Sequence, residues 1–358
     1  MRISILSHSS NRFSEIYARS FRDRGHQVQF LSLEDQPLEI EDVEVRIVVP
    51  AGFRPLETSA RIHYLAAVPR ARREIRAFRP DLLFGLYLNS AGLIARLADH
   101  PRTIISARGS DVYLHRGKFP WPRVFRWMAR GSVRVHAVSE PLRKILVDEM
   151  HIPKSKVFVC PLGIDSTRLP EIRFEQRPAE GELLVTRGHG RTHDQQTILE
   201  ALLRLQSRGV RARVTFAHAG PGVEATRNAA ERLGLADQVR FVPGYHQNEL
   251  PALLTGCDAY VSASLHDGTS SSLLEALCSA TPVVVSDIAA NRSWIRHGRE
   301  GLLFPPGDPE ALAGSLERVI TDPELRRRIG AGGRRIVLEK AERAAHMDQL
   351  VEIFSSLP

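Results

Sequence analysis

Residues 258–287, DAYVSASLHDGTSSSLLEALCSATPVVVSD, constrain the fold more than any other stretch. Asp258 to Ser262 is a short apolar run of strand length and β-rich composition. A polar loop follows from His266 to Ser271, and Ser272 to Leu277 opens a helix with its apolar residues on one face. Thr281–Pro282 stops that helix, and Val283 to Val285 reads as a second buried strand. The order strand, loop, helix, strand is the repeating unit of an α/β sheet. In an open sheet of this kind a ligand sits at the loop leaving a strand's carboxyl end. Gly268 lets backbone approach closely there, Thr269, Ser270 and Ser271 are small hydrogen-bond donors, and the N–H groups of the helix start point back at the loop. The combination suits an anion.

Asp267 and Glu275 flank this cradle. The pair suits a ligand with hydroxyl groups on both sides of its phosphates, as in a nucleotide sugar. Each carboxylate also has a plainer reading. Ser272-x-x-Glu275 is a capping box, in which the glutamate only satisfies the helix start. Asp267–Gly268 is a common turn pair. The segments Asp258–Ala259–Tyr260, Asp267–Gly268, Leu274–Glu275–Ala276–Leu277 and Thr281–Pro282–Val283–Val284 resemble the donor-site signature of retaining GT-B glycosyltransferases, in particular family 4, the group 1 transferases. That family carries two glutamates at the spacing of 267 and 275. Glu275 matches the second, and Asp267 stands at the first, one methylene shorter. The resemblance implies an α/β fold of two doubly wound Rossmann-like domains facing across a cleft.

The length, 358 residues, suits two domains of ordinary size. No apolar run approaches the roughly 18–20 residues of a membrane span. Met1–Leu6 lacks the layout of a signal peptide and leads into His8-Ser9-Ser10-Asn11. Cys160, Cys257 and Cys278 are far apart and read as small buried residues. A cytoplasmic protein, possible at the inner membrane face as a peripheral one, is expected. Residues 1–165 hold 26 basic and 17 acidic side chains, and the remainder 23 and 24. The excess suggests an anionic partner for the first half, unless the arginines are scattered without purpose.

Residues 2–7 alternate as a strand, a loop takes 8–12, a helix follows to Arg24, and Val28–Leu33 reads as a second strand. This βαβ opening lacks G-x-G-x-x-G, which argues against a dinucleotide enzyme. The family's first loop faces acceptor and phosphates, which implies acceptor-side roles for Ser9 and Ser10. Further strands are expected at 45–49, from Pro80 to Phe84, 104–107, 132–138 and 156–160, with a mostly helical 57–79 broken at Pro69. Arg108-Gly109-Ser110-Asp111 resembles a family motif that begins with histidine. The likeness implies acceptor-side roles for Arg108 and Asp111, although Gly109–Asp111 also reads as a turn with a helix cap. Residues 118–130 mix aromatic and basic side chains, which suits a membrane surface. The plainer reading makes Val124, Phe125 and Met128 a core stripe with arginines on the wet face.

Pro161-Leu162-Gly163-Ile164-Asp165 resembles the family segment that closes the first domain. Residues 1–165 are therefore expected as an acceptor-side domain, 166–180 as the linker opening a donor domain, 166–338, and a helix from about 339 as packing back on the first domain. Arg187 follows a strand at 182–186 and matches the family's phosphate-binding arginine. The family's following lysine is missing; Thr192 and His193 stand nearest its place, and His193 either replaces it or is a surface residue. Tyr245 and His246 leave a strand near where the family binds the base. By resemblance, Asp267 grips sugar hydroxyls, Glu275 the ribose, and Arg187 with Gly268, Thr269, Ser270 and Ser271 the diphosphate. No Asp-x-Asp occurs, which weakens the case for a metal. The reading is a retaining, metal-independent glycosyltransferase of hexosyl type with no cofactor. Its partners are a nucleoside-diphosphate sugar and a glycan, lipid-linked or other hydroxyl acceptor; no nucleic acid is expected. A nucleotide-sugar epimerase or hydrolase, and a degenerate binding subunit, are the alternatives.

Overall fold

The computed structural model describes residues 1–35, 38–52, 64–172 and 179–357. The chain forms two compact units, Met1–Pro161 with Ala345–Pro358, and Leu162–Ala344.

The first unit is built on seven parallel strands, β1 (Arg2–Ser7), β2 (Gln27–Ser32), β3 (Val43–Ile47), β4 (Leu82–Leu86), β5 (Thr103–Ala107), β6 (Arg134–Ala137) and β7 (Val157–Val159). They lie in the order β3-β2-β1-β4-β5-β6-β7. Its helices are α1 (Arg12–Arg22), α2 (Ala67–Phe78), α3 (Leu93–Ala98), α4 (Ser110–Tyr113), α5 (Trp121–Arg130) and α6 (Glu140–Lys144). Every residue of β4 and β5 is buried, as a sheet covered on both faces requires. Of the helix expected at 57–79, residues 57–63 lie outside the described ones. Pro69 does not break the remainder. It sits in the first turn of α2, where its absent N–H has no intrahelical partner to lose. In α5, Phe125, Met128 and Ala129 are buried in the core and Val124 packs against it, so the core-stripe reading of this segment holds.

The second unit has six parallel strands, β8 (Glu182–Val185), β9 (Arg213–Ala217), β10 (Val239–Val242), β11 (Ala259–Ser262), β12 (Val283–Ser286) and β13 (Leu302–Phe304), ordered β10-β9-β8-β11-β12-β13. Its helices are α7 (Gln195–Ser207), α8 (Val223–Arg232), α9 (Leu250–Thr255), α10 (Ser271–Cys278), α11 (Ala289–Arg292), α12 (Pro309–Thr321) and α13 (Pro323–Lys340). The last helix, α14 (Arg343–Ser355), starts later than expected. Just before it, Glu342 pairs with Ile164 in a β-bridge. Residues 166–172 pack on the second unit instead of forming a free linker. Leu169 is buried there, and the Ile172 N–H donates to the Ser279 carbonyl at 2.9 Å. Residues 173–178, with Pro178, lie outside the described ones.

Helix α13 seats α10. A Cβ on Gly330 would strike the Ala280 carbonyl, and one on Gly333 would strike the Leu277 side chain. At Gly330 only glycine lets α13 approach the backbone turn that follows α10 this closely. No helix among the described residues is long and apolar enough to cross a membrane.

Candidate functional site

In each sheet the chain starts in the middle and reverses direction once. In the second unit the reversal falls between β8 and β11. Ligands of open α/β sheets bind at such a point, outside the strands' carboxyl ends. The loops that leave β8 and β11 carry Arg187 and Asp267. Arg187 Nη2 donates to Asp267 Oδ2 at 2.6 Å. The other oxygen, Oδ1, accepts from the Gly268 N–H at 2.7 Å. Further bonds fix both loops. The Leu265 N–H donates to the Thr192 carbonyl at 2.8 Å. The Gln195 side-chain amide donates to the carbonyls of Arg187 and Gly188 at 3.2 and 2.6 Å.

Helix α10 begins beside this pair. Its N-cap is Ser270, whose Oγ accepts from the Leu273 N–H at 3.2 Å. The capping-box reading placed the cap at Ser272 and is corrected by this bond. Ser272 instead accepts from the Tyr260 hydroxyl at 3.0 Å. Glu275 therefore lies beyond the capping turn and is only 3% exposed. Gly268, Thr269, Ser270 and Ser271 line the approach to the helix start, where N–H groups and helix dipole favour an anion.

His193 is partly buried, with Nδ1 and Ser264 Oγ 3.1 Å apart. Burial, then the charge of Arg187, pulls its imidazole down to about 3. Three more histidines gather here that the sequence did not single out: His189 in the β8 exit, His218 after β9 and His266 beside Asp267. Burial lowers the pKa of each. Tyr245 and His246 sit in the exit loop of β10, the edge strand. Tyr245 packs against the core, and His246 is exposed. An open groove along β8, β9 and β10 takes in Tyr245 but neither Arg187, Asp267 nor Glu275.

The first unit reverses between β1 and β4. Ser9 and Ser10 do lie here, but both are held by Glu34, which sequence reasoning missed. Ser9 Oγ donates to Glu34 at 3.0 Å, and the Ser10 N–H and Oγ donate at 2.6 and 2.7 Å. Burial works against the charge of Glu34. Even so, bonds from His8 and Ser10 win and hold the carboxyl down at about 2. His8 Nε2 and Ser90 Oγ are 3.1 Å apart, and the Asn11 amide donates to the Tyr87 hydroxyl at 2.6 Å. Tyr87 has φ 77°, a left-handed conformation that a non-glycine residue adopts at a cost in strain. Asp111 is fully buried and accepts from the N–H groups of Leu88, Arg108 and Gly109 at 2.8, 3.0 and 2.8 Å. Its contacts are those of a loop anchor. Arg108 donates to the Tyr17 hydroxyl at 2.8 Å and stacks on Phe13 at 4.5 Å. Among the described residues, no three histidine, cysteine, aspartate or glutamate side chains are grouped to hold a metal ion.

The family profile for Glycosyl transferases group 1 matches residues 170–336, and that for Glycosyltransferase Family 4 matches residues 11–168. The lipopolysaccharide core biosynthesis glycosyltransferase LpsE of Rhizobium meliloti (strain 1021) is 29% identical over 327 residues, covering 86% of this chain and 84% of that one. The D-inositol 3-phosphate glycosyltransferase of Frankia alni is 30% identical over 220 residues, 56% of this chain and 54% of that one. Several other curated relatives match over less than half of their own length. Among solved structures, sucrose-phosphate synthase from Thermosynechococcus elongatus superposes with a TM-score of 0.85 at 16% identity over 99% of this chain and 98% of that one. Anabaena HepE, in complex with UDP-glucose, superposes with a TM-score of 0.83 at 18% identity over the whole of both chains. At such identities the likeness establishes the fold, two Rossmann-like α/β units of the GT-B class. The two profiles between them reach into both units, and the chain belongs to the group 1, family 4 glycosyltransferases.

Proposed function

We propose that the protein is a retaining glycosyltransferase that moves a hexosyl group from a nucleoside-diphosphate sugar to an acceptor hydroxyl without a metal ion. One observation carries this reading: Arg187, the 268–271 backbone and the start of α10 converge at the switch point of the second sheet, flanked by Asp267 and the buried Glu275. Arg187 and the helix start neutralise the diphosphate, Asp267 meets sugar hydroxyls, and Glu275 meets the ribose. HepE, a structural neighbour, holds UDP-glucose. In the reaction the anomeric carbon–oxygen bond to the diphosphate breaks and a bond to the acceptor oxygen forms on the same face. The acceptor proton passes to a phosphate oxygen. Stabilising the leaving group electrostatically suffices, and no enzymic nucleophile is required.

The acceptor belongs to the first unit in this reading. That unit exposes Phe119 (77%) and Trp127 (41%), with exposed Arg116, Lys118 and Arg123 between or beside them. Aromatic and cationic side chains together suit an anionic lipid surface, and a lipid-linked acceptor is consistent with it. The arginines of α2 are partly engaged already. Arg72 donates to the Leu97 carbonyl at 2.7 Å, and Arg73 pairs with Glu74 at 2.7 Å.

The test is a screen of UDP-, GDP- and ADP-sugars against hydroxyl acceptors, with the anomeric configuration of the product read by NMR. Transfer with inversion would refute the retaining mechanism. Nucleotide-sugar binding without transfer or hydrolysis would favour a binding subunit.

A further inference from the structure

The diphosphate cradle is short of positive charge, and the shortage has a built-in remedy. Arg187 is the cation there, and Asp267 already neutralises it at 2.6 Å. No lysine follows Arg187 in this loop; Thr192 and His193 stand nearest the place of the family's lysine. Charges and rings within electrostatic reach of His193 come from three loops: Arg187 and His189 from the β8 exit, His218 from the β9 exit, and His266 from the β11 exit, where Asp267 bonds Arg187; His189 Nδ1 itself lies 2.9 Å from the Thr226 hydroxyl. They crowd closely. A Cβ placed on Gly188 would lie 3.3 Å from the His218 ring and 3.6 Å from the His193 ring. In the same turn Asp194 is committed to capping α7, taking the Thr197 hydroxyl at 2.6 Å, and Arg191 is exposed. With all four imidazoles neutral, the cluster sums to zero charge.

We propose that this histidine cluster supplies the missing positive charge by taking up a proton when the diphosphate of a nucleotide sugar binds beside Arg187. The proposal rests on the donor-site reading above. In the free protein burial lowers the pKa of all four imidazoles, and the charge of Arg187 adds to this at His193 and His218, so the cluster favours the neutral form, His193 most strongly. A bound diphosphate reverses the local field and raises the pKa of every imidazole near it. The sign follows. The bound-state pKa exceeds the free one, so affinity gains as pH falls through the bound value, and the gain is lost as pH rises past it. A lysine would hold its charge throughout this range, and its site would show no such dependence.

The experiment is calorimetric titration of UDP-, GDP- and ADP-glucose into the full chain at pH 7, in two buffers of different ionisation enthalpy. Sugar nucleotides are used because a free nucleoside diphosphate has a terminal phosphate that itself titrates near pH 6. The expected result is a buffer-dependent heat equivalent to about one proton taken up, with affinity rising up to roughly tenfold per pH unit as pH is lowered. His193→Lys places a fixed charge in the cluster. It should bind the same sugar nucleotide with little proton uptake and a flat pH profile, its fold checked by circular dichroism. Binding with a buffer-independent heat, or an uptake unchanged in His193→Lys, overturns the proposal and leaves the donor site standing. No binding of any of the three sugars overturns both.

Discussion

The pairing of Arg187 with Asp267 makes a prediction in which affinity and turnover move in opposite directions. In the free protein the arginine that should meet the diphosphate is held by a carboxylate at 2.6 Å. A diphosphate must compete for it. Asp267→Asn removes that competitor while keeping the local loop bond, because the amide oxygen still accepts from the Gly268 N–H that Oδ1 holds at 2.7 Å. A charge-assisted hydrogen bond contributes about 1.5–3 kcal/mol. The two side chains are 20% and 15% exposed, so solvent screening trims this to roughly 1–2 kcal/mol. Affinity for the free nucleoside diphosphate should therefore rise about five- to thirtyfold. Sugar transfer should fall at the same time, because the carboxylate proposed to meet the sugar hydroxyls is gone. Calorimetry with UDP, GDP and ADP reads the first effect, and initial rates of transfer read the second. Unchanged or weaker diphosphate binding, in a variant that melts like the parent, would show that Arg187 does not meet the diphosphate.

The remaining predictions concern other parts of the molecule. Glu275→Gln should lower transfer about ten- to a hundredfold with little change in melting temperature, through loss of the proposed charge-assisted bond to the ribose, whereas Ser270→Ala, which removes the α10 cap, should cost about 1 kcal/mol of stability; unchanged transfer with a lowered melting temperature in Glu275→Gln would return Glu275 to a purely structural role. Turnover should survive EDTA, and complete loss restored by Mg²⁺ or Mn²⁺ would refute the metal-independent reading. The protein should co-sediment with anionic vesicles at low salt and leave them as salt rises; indifference of the parent protein to anionic vesicles, or undiminished binding by Phe119→Ser with Trp127→Ser, would move the acceptor into solution. His136 is fully buried, with Ser106 Oγ at 2.9 Å and the Cys160 carbonyl at 2.6 Å, and burial pushes its imidazole down to about 3. Its folded value lies below the ordinary one, so its stabilising effect is full above about pH 6.5 and is lost as pH falls toward 3, on the order of 5 kcal/mol in all. Urea unfolding across this range should show His136→Gln taking up about one proton fewer, and an equal pH slope in both proteins would refute the assignment.

Much of the fold is legible locally. Short apolar runs such as Val283–Val285 form strands because a sheet covered on both faces needs them apolar throughout. Local signals also misplace things by a few residues. Ser272-x-x-Glu275 has the spacing of a capping box, yet Ser270 takes the cap. The choice between neighbouring serines depends on where the backbone leaves its extended conformation, and spacing carries no record of that. Pro69 reads as a break in a helical pattern, but the described helix begins only at Ala67, so the proline falls in its first turn.

By itself the sequence determined the alternation of strands and helices, the loop chemistry suited to an anion, and the resemblance that the family profiles bear out. Only the tertiary structure decided which of those side chains meet. Arg187 and Asp267 are 80 residues apart and touch because β8 and β11 are neighbours at the point where the strand order reverses. His189, His193, His218 and His266 gather for the same reason, from loops that follow three different strands. Glu34 reaches Ser9 and Ser10 because β2 lies beside β1. Residue periodicity records the environment of each strand but not the identity of its neighbour. Strand order is set by how the helices pack over the whole sheet, so the partners of each charged group become visible only in the folded chain.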